Sequence, residues 1–93
     1  MIRKRREAGG QVRLMFAVND ERRVSLVCDR NDWMPEATPL KPRPNGTRSA
    51  SLLVPEGTAV RFRYFAEDGE YYDDPQAGLE PNGLGGTHSV ITA

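Results

Sequence analysis

The chain has 93 residues, room for one domain and one core. It is 38% hydrophobic and 28% charged, a balance that fits a folded globular domain rather than a disordered segment. Thirteen Lys and Arg balance thirteen Asp and Glu, so no net charge points to nucleic acid or membrane as partner.

The charge is nonetheless unevenly placed. Arg3, Lys4, Arg5 and Arg6 crowd one end. Glu67, Asp68, Glu70, Asp73, Asp74 and Glu80 cluster late, with no Lys or Arg among them. The plain reading is a solvated tail and a solvated hairpin tip. One cysteine, Cys28, excludes an internal disulfide. No run of about 18 apolar residues is present, so no membrane span is expected. Arg3 to Arg6 lead into Glu7-Ala8-Gly9-Gly10 and not into an apolar stretch, so no secretory signal is visible. A reducing, cytoplasmic setting is the expectation.

In chain order, residues 1–10 read as a mobile basic tail ending in Gly9-Gly10. Gln11 to Val18 alternates, with Val12, Leu14, Phe16 and Val18 on one face. Asn19-Asp20 signals a turn. Arg23 to Cys28 is the second strand, with Val24, Leu26 and Cys28 sharing a face. Asp29 to Pro39 reads as a loop carrying Trp33, and Leu40 to Arg43 as at best a short edge strand, because proline cannot donate to a ladder. Asn45-Gly46 is the strongest hairpin signal. Arg48 to Val54 returns from it, and Pro55-Glu56-Gly57 turns the chain again.

Thr58 to Phe65 alternates most clearly, with Val60, Phe62 and Tyr64 opposed to Arg61, Arg63 and Phe65. Glu67 to Glu70 is a hairpin tip. Tyr71 and Tyr72 open a short strand that Asp74-Pro75 ends, and one of the two tyrosines should be core. Residues 76–87 read as a Gly- and Pro-rich loop, and His88 to Thr92 as a last strand. No stretch holds helical spacing over three turns. Short strands at turn-marked intervals predict an all-β, antiparallel β-sandwich spanning residues 11–93.

The residues offer little catalytic chemistry. One histidine and one cysteine in an apolar strand assemble neither a Ser–His–Asp set nor a zinc site. Asp68, Glu70, Asp73 and Asp74 do not have the spacing of a calcium loop. No enzyme activity, cofactor or metal is expected. Nucleic acid is not expected as a partner, since the Arg3–Arg6 segment lacks interleaved aromatics and a basic sheet face.

A binding surface remains. Trp33, the only tryptophan, follows a strand and precedes a proline-rich loop. It reads either as core, as in many sandwiches, or as a ring held out at a sheet edge. Arg63 shares a face with Arg61 and Phe65, and Tyr71 returns along the adjacent strand. A strand arginine is commonly solvent-facing, with its stem covering apolar surface. If that face meets the Trp33 loop, an indole, a phenol and a guanidinium lie together. Such a set suits a sugar, whose C–H faces are apolar and whose hydroxyls need polar partners.

Read together, these segments resemble carbohydrate-binding module family 48. This is the glycogen-binding and isoamylase N-terminal type of early-set, immunoglobulin-like domain. It occurs in the beta subunit of AMP-activated protein kinase, in branching and debranching enzymes and in stand-alone bacterial proteins. Val24 to Trp33 is similar to the family's strand followed by Gly-Asp-Phe-Asn-x-Trp, with Cys28 in place of the glycine and Arg30 in place of the phenylalanine. Pro55-Glu56-Gly57, Phe62-Arg63-Tyr64-Phe65, Asp73-Asp74-Pro75 and Pro81 to Val90 are similar to its later motifs, in order.

The resemblance implies an immunoglobulin-like sandwich that binds α-glucan without catalysis. It implies that Trp33 and Tyr71 are stacking rings, Arg63 a sugar-binding cation, Leu84 an apolar contact and His88 a polar contact in place of asparagine. The implied partner is glycogen, starch or a maltooligosaccharide. The alternative on the same fold is a protein-interaction or scaffolding module in which Trp33 and Tyr71 meet a partner chain.

Overall fold

The computed structural model describes residues 1–93. It is all-β, an immunoglobulin-like sandwich of two antiparallel sheets. The strands are β1 (Ile2–Glu7), β2 (Gln11–Val18), β3 (Val24–Cys28), β4 (Lys41–Pro42), β5 (Arg48–Pro55), β6 (Ala59–Ala66), β7 (Tyr71–Tyr72), β8 (Gly78–Pro81) and β9 (Thr87–Thr92). One sheet runs β1-β2-β5-β4 and the other β3-β6-β9-β8, with β7 also pairing β6. Apart from the small β7 and β8, this is the four-plus-three strand arrangement of an immunoglobulin constant-type sandwich.

The period-two pattern sets the core. Val12, Leu14 and Phe16 of β2 face Val60, Phe62 and Tyr64 of β6, with Val24, Leu26 and Cys28 of β3 beside them. Phe16 and Phe62 join the sheets edge to face, ring centroids 4.8 Å apart. Such a pair adds about 0.5–1.5 kcal/mol beyond its area burial. The aromatic row continues through Tyr64 to Tyr72, 5.3 Å away. Tyr72 is therefore the core-side tyrosine of its pair, and Tyr71 points outward.

Three expectations are corrected. Residues 2–7 are not a tail: all six pair with β2, from Ile2 opposite Phe16 to Glu7 opposite Gln11. Gly9 and Gly10, both at positive φ, reverse the chain between them. The strand shows no alternation because it is an exposed edge, whose pairing is backbone-driven and whose charges blunt further pairing. The loop expected over residues 76–87 contains β8, which pairs with β9.

The late acids are not uniformly solvated either. Asp68 and Glu70 ion-pair with Arg22, and Asp74 is fully buried. Asp74 Oδ2 accepts a 2.6 Å bond from the Tyr64 hydroxyl, and its Oδ1 accepts from the Gln76 amide. A buried carboxylate needs such donors. No helix is long and apolar enough to cross a membrane.

Candidate functional site

The site stands on the outer face of the second sheet, and β6 organises it. Strand β3 pairs along one side of β6, setting Val27 opposite Arg63. On the other side, β7 sets Tyr71 opposite Phe65, and β9 pairs further along. Residues outward on β6 therefore meet residues outward on β3, β7 and β9. A concavity of about 490 Å³ results, lined by Val27, Trp33, Arg63, Tyr71, Asn82, Leu84 and His88. All five residues singled out from the sequence line this one concavity.

Trp33 is presented by a loop pinned at both ends. Asn31 does most of the pinning: its Oδ1 accepts from the Cys28 amide, and its Nδ2 donates to Leu26 O and Thr38 Oγ1. The far end is held by Leu26 donating to Thr38 O and Leu40 donating to Val24 O. Between these anchors Asp32 and Trp33 adopt φ of 57° and 58°. A left-handed backbone is uncommon for a bulky residue and costs on the order of 1–3 kcal/mol. The Trp33 amide donates to Cys28 O at 2.9 Å, which fixes this turn. Trp33 is 40% exposed. It is a rim residue, and of the two readings of Trp33 the exposed one is correct.

Tyr71 is 47% exposed. Phe65 backs its ring, with centroids 4.6 Å apart. The Arg63 guanidinium lies 5.6 Å from the Tyr71 ring centre, and its Nη2 donates to Tyr71 O at 3.3 Å. Arg63 thus carries its charge against an aromatic face, a cation–π contact. Beneath it, Asp73 receives hydroxyl donors from Thr87 and Ser89, both at 2.9 Å.

His88 faces Trp33, ring centroids 6.1 Å apart at 48°. Its Nε2 lies 2.7 Å from Glu80 Oε1, which also accepts from Arg61 Nε at 2.6 Å. The His88 hydrogen bond, then that of Arg61, holds the Glu80 carboxyl below the usual carboxylate range. With Glu80 ionised, Nε2 carries the proton that it shares, and Nδ1 is the ring nitrogen left for a further partner.

Leu84 is 90% exposed at the tip of a loop tied by Asn82. Asn82 Oδ1 accepts from the amides of Leu84 and Gly86, and its Nδ2 donates to no protein group. Asn82 and Val27 are the lining residues that the sequence reading did not pick. Asn82-Gly83 announces a turn but not a side chain turned into a site. Val27 lies on the outer strand face, opposite Arg63, yet is buried at the concavity.

The arrangement offers two partly exposed rings, one cation on an aromatic face, an amide donor and an imidazole nitrogen around an apolar floor. Cys28 lies beneath, buried, and burial pushes its thiol above the usual range. No three His, Cys, Asp or Glu side chains come together as metal ligands. The chain matches no protein-family model and no curated protein.

Proposed function

We propose that the domain binds α-glucan non-catalytically, taking up glycogen, starch or a maltooligosaccharide at the Trp33 concavity. The observation that carries this reading is the pairing of Trp33 and Tyr71 with Arg63 in one open hollow. Glucose units present apolar faces to rings and hydroxyls to polar groups. Trp33 and Tyr71 supply the rings; Arg63, Asn82 and His88 supply hydrogen-bonding groups; Leu84 adds an apolar contact at the rim. The strained backbone at Trp33 supports the same reading, since it holds the indole outward where a relaxed loop could fold it in. The order of motifs along the chain supports kinship with family 48 carbohydrate-binding modules. The lone buried Cys28 suits a reducing compartment such as the cytoplasm.

A shallow hollow with two rings predicts weak single-site affinity, roughly micromolar to millimolar. Branched polymers are then retained better than short sugars, because several bound copies act together. The test is a glycogen affinity gel, paired with Trp33 fluorescence during maltoheptaose titration. Binding should shield Trp33 from acrylamide, Trp33→Ala should abolish retention, and Tyr71→Trp should strengthen it. Full retention by a folded Trp33→Ala protein would sink the proposal and favour the protein-interaction reading.

A further inference from the structure

Contrary to the expectation that the Arg3–Arg6 segment belongs to no basic sheet face, the outer face of the other sheet gathers positive charge from three separate stretches of sequence. Strand β1 sets Arg3 opposite Met15 and Arg5 opposite Arg13 of β2. Strand β2 sets Met15 opposite Ser51 and Arg13 opposite Leu53 of β5, and β4 sets Lys41 opposite Ser49. Val12, Leu14 and Phe16 point into the core, so these alternating partners share the outer face. Arg43, just past β4, reaches the same face, where its Nε donates to Ser49 Oγ at 2.6 Å. A concavity of about 350 Å³ opens here, bordered by Arg3, Arg13, Arg43, Thr47, Ser49 and Ser51. No Asp or Glu lines it.

The charges on this face are poorly neutralised. Arg3, Lys41 and Arg43 belong to no ion pair. Glu7 is the one neighbouring acid, 3.0 Å from Arg13 Nε and 3.4 Å from Arg5 Nε, so a single carboxylate serves two guanidiniums. Those contacts, the Arg13 hydrogen bond first, hold the Glu7 carboxyl below the usual range. Ser49 Oγ accepts from Arg43, which leaves its own O–H to donate outward. Arg43 has both terminal nitrogens unbonded to protein. Guanidinium forks and hydroxyl donors around a hollow without carboxylates match the oxygens of a phosphate. Exposed aromatic rings are missing from this face, so a nucleobase has nothing to stack on.

We propose that this hollow is a second binding site, for a ligand carrying a phosphate group, on the side of the sandwich opposite the Trp33 concavity. The phosphate is recognised through its oxygens by Arg3, Arg13 and Arg43 with Ser49 and Ser51. The ligand is free phosphate or a phosphate carried on a sugar, and both present the same group.

The experiment follows amide chemical shifts of the ¹⁵N-labelled full chain as inorganic phosphate, glucose 6-phosphate or a short DNA duplex is added. Ionic strength is held constant, with sodium chloride as the blank. Saturable shifts on β2, β5 and residues 43–49 are expected with phosphate and glucose 6-phosphate and not with chloride. Tighter binding of glucose 6-phosphate identifies a phosphosugar; equal binding identifies free phosphate. Arg3→Gln/Arg43→Gln should weaken binding about tenfold or more, the scale of lost charge-assisted bonds. Neither arginine makes an ion pair in the free protein, and the one side-chain bond lost, Arg43 Nε to Ser49 Oγ, is exposed, so the double variant should melt close to the parent. Trp33→Ala should leave phosphate binding unchanged, which separates this site from the proposed glucan site. Shifts that merely follow chloride, or an unchanged midpoint in the double variant, overturn the proposal. Saturation by the duplex with no response to either small phosphate also overturns it, in favour of a nucleic-acid backbone.

Discussion

The carboxylate of Asp73 lies 3.3 Å from Nε of Arg63, a residue that lines the Trp33 concavity. The two are not aligned as a hydrogen bond, and that Nε is buried with no other partner. Hydroxyl donors from Thr87 and Ser89 fix the Asp73 oxygens, so the carboxylate is a stationary charge. It holds Arg63 over Tyr71 by attraction, with Nη2 donating to Tyr71 O and Nη1 without a protein partner. Asp73 is thus a positioning residue, and the acid-rich stretch around it has a use that composition alone does not show.

Asp73→Asn should weaken glycogen retention by about fivefold, near 1 kcal/mol, through a less well held Arg63. Arg63→Gln should weaken it more, since it removes the ligand-facing group itself. Affinity electrophoresis of the two variants and the parent gives the order. Equal loss in both, or none in either, would remove Asp73 from the positioning role.

At Trp33 the backbone φ of 58° separates conformational cost from side-chain role. Glycine tolerates this region and alanine does not, by roughly 1–2 kcal/mol. Trp33→Gly should therefore unfold in urea at a higher midpoint than Trp33→Ala, while both fail to bind glycogen. A Trp33→Ala protein as stable as Trp33→Gly would mean that the loop relaxes and stores no strain.

The Tyr64 hydroxyl is a main support of the buried Asp74 carboxylate in the interior. Tyr64→Phe keeps the ring and removes that donor, leaving a buried charge less well satisfied. A loss of about 1.5–3 kcal/mol is expected, because the bond is to a charged group. Denaturant unfolding measures it, and Tyr64→Phe/Asp74→Asn should recover part of the loss.

The pH dependence of stability has a definite sign on each side. Hydrogen bonds from Arg22 hold Asp20 far below its ordinary value and Asp68 below its own, and Glu7 and Glu80 are also lowered. Depressed folded-state values contribute stability that is present above the unfolded carboxylate range, about pH 4, and is lost as pH falls through the lowered values. The melting temperature should hold to about pH 4 and decline below it, with Asp20→Asn flattening the decline.

In alkali the direction reverses. Burial, then the bonds to Asp74 and Asp20, pushes Tyr64 and Tyr72 above the usual range. Their contribution is present below the ordinary tyrosine value, about 10, and is lost as pH rises through the raised ones. Ultraviolet titration should show both phenols ionising only as the chain unfolds. Ionisation of either in the folded protein near pH ~10 would contradict its burial.

The period-two alternation of β2, β3 and β6 was readable because each strand has one face in the core and one outside it. That pattern determined the all-β class, the inward position of Phe16, Phe62 and Tyr64, and the outward position of Arg63. Asn45-Gly46 and Pro55-Glu56-Gly57 likewise act through local turn chemistry, with Gly46 and Gly57 at positive φ. Strands β1 and β8 were not readable. Both are edges held by backbone bonds to a neighbour, and an edge that buries neither face imposes no pattern on its side chains. Only the tertiary structure decided that Tyr71 faces out and Tyr72 in, that Asp74 is interior, and that Trp33, Tyr71 and His88 meet. Those outcomes depend on which strands flank β6 and in what register, and residues distant in sequence carry no local signal of either.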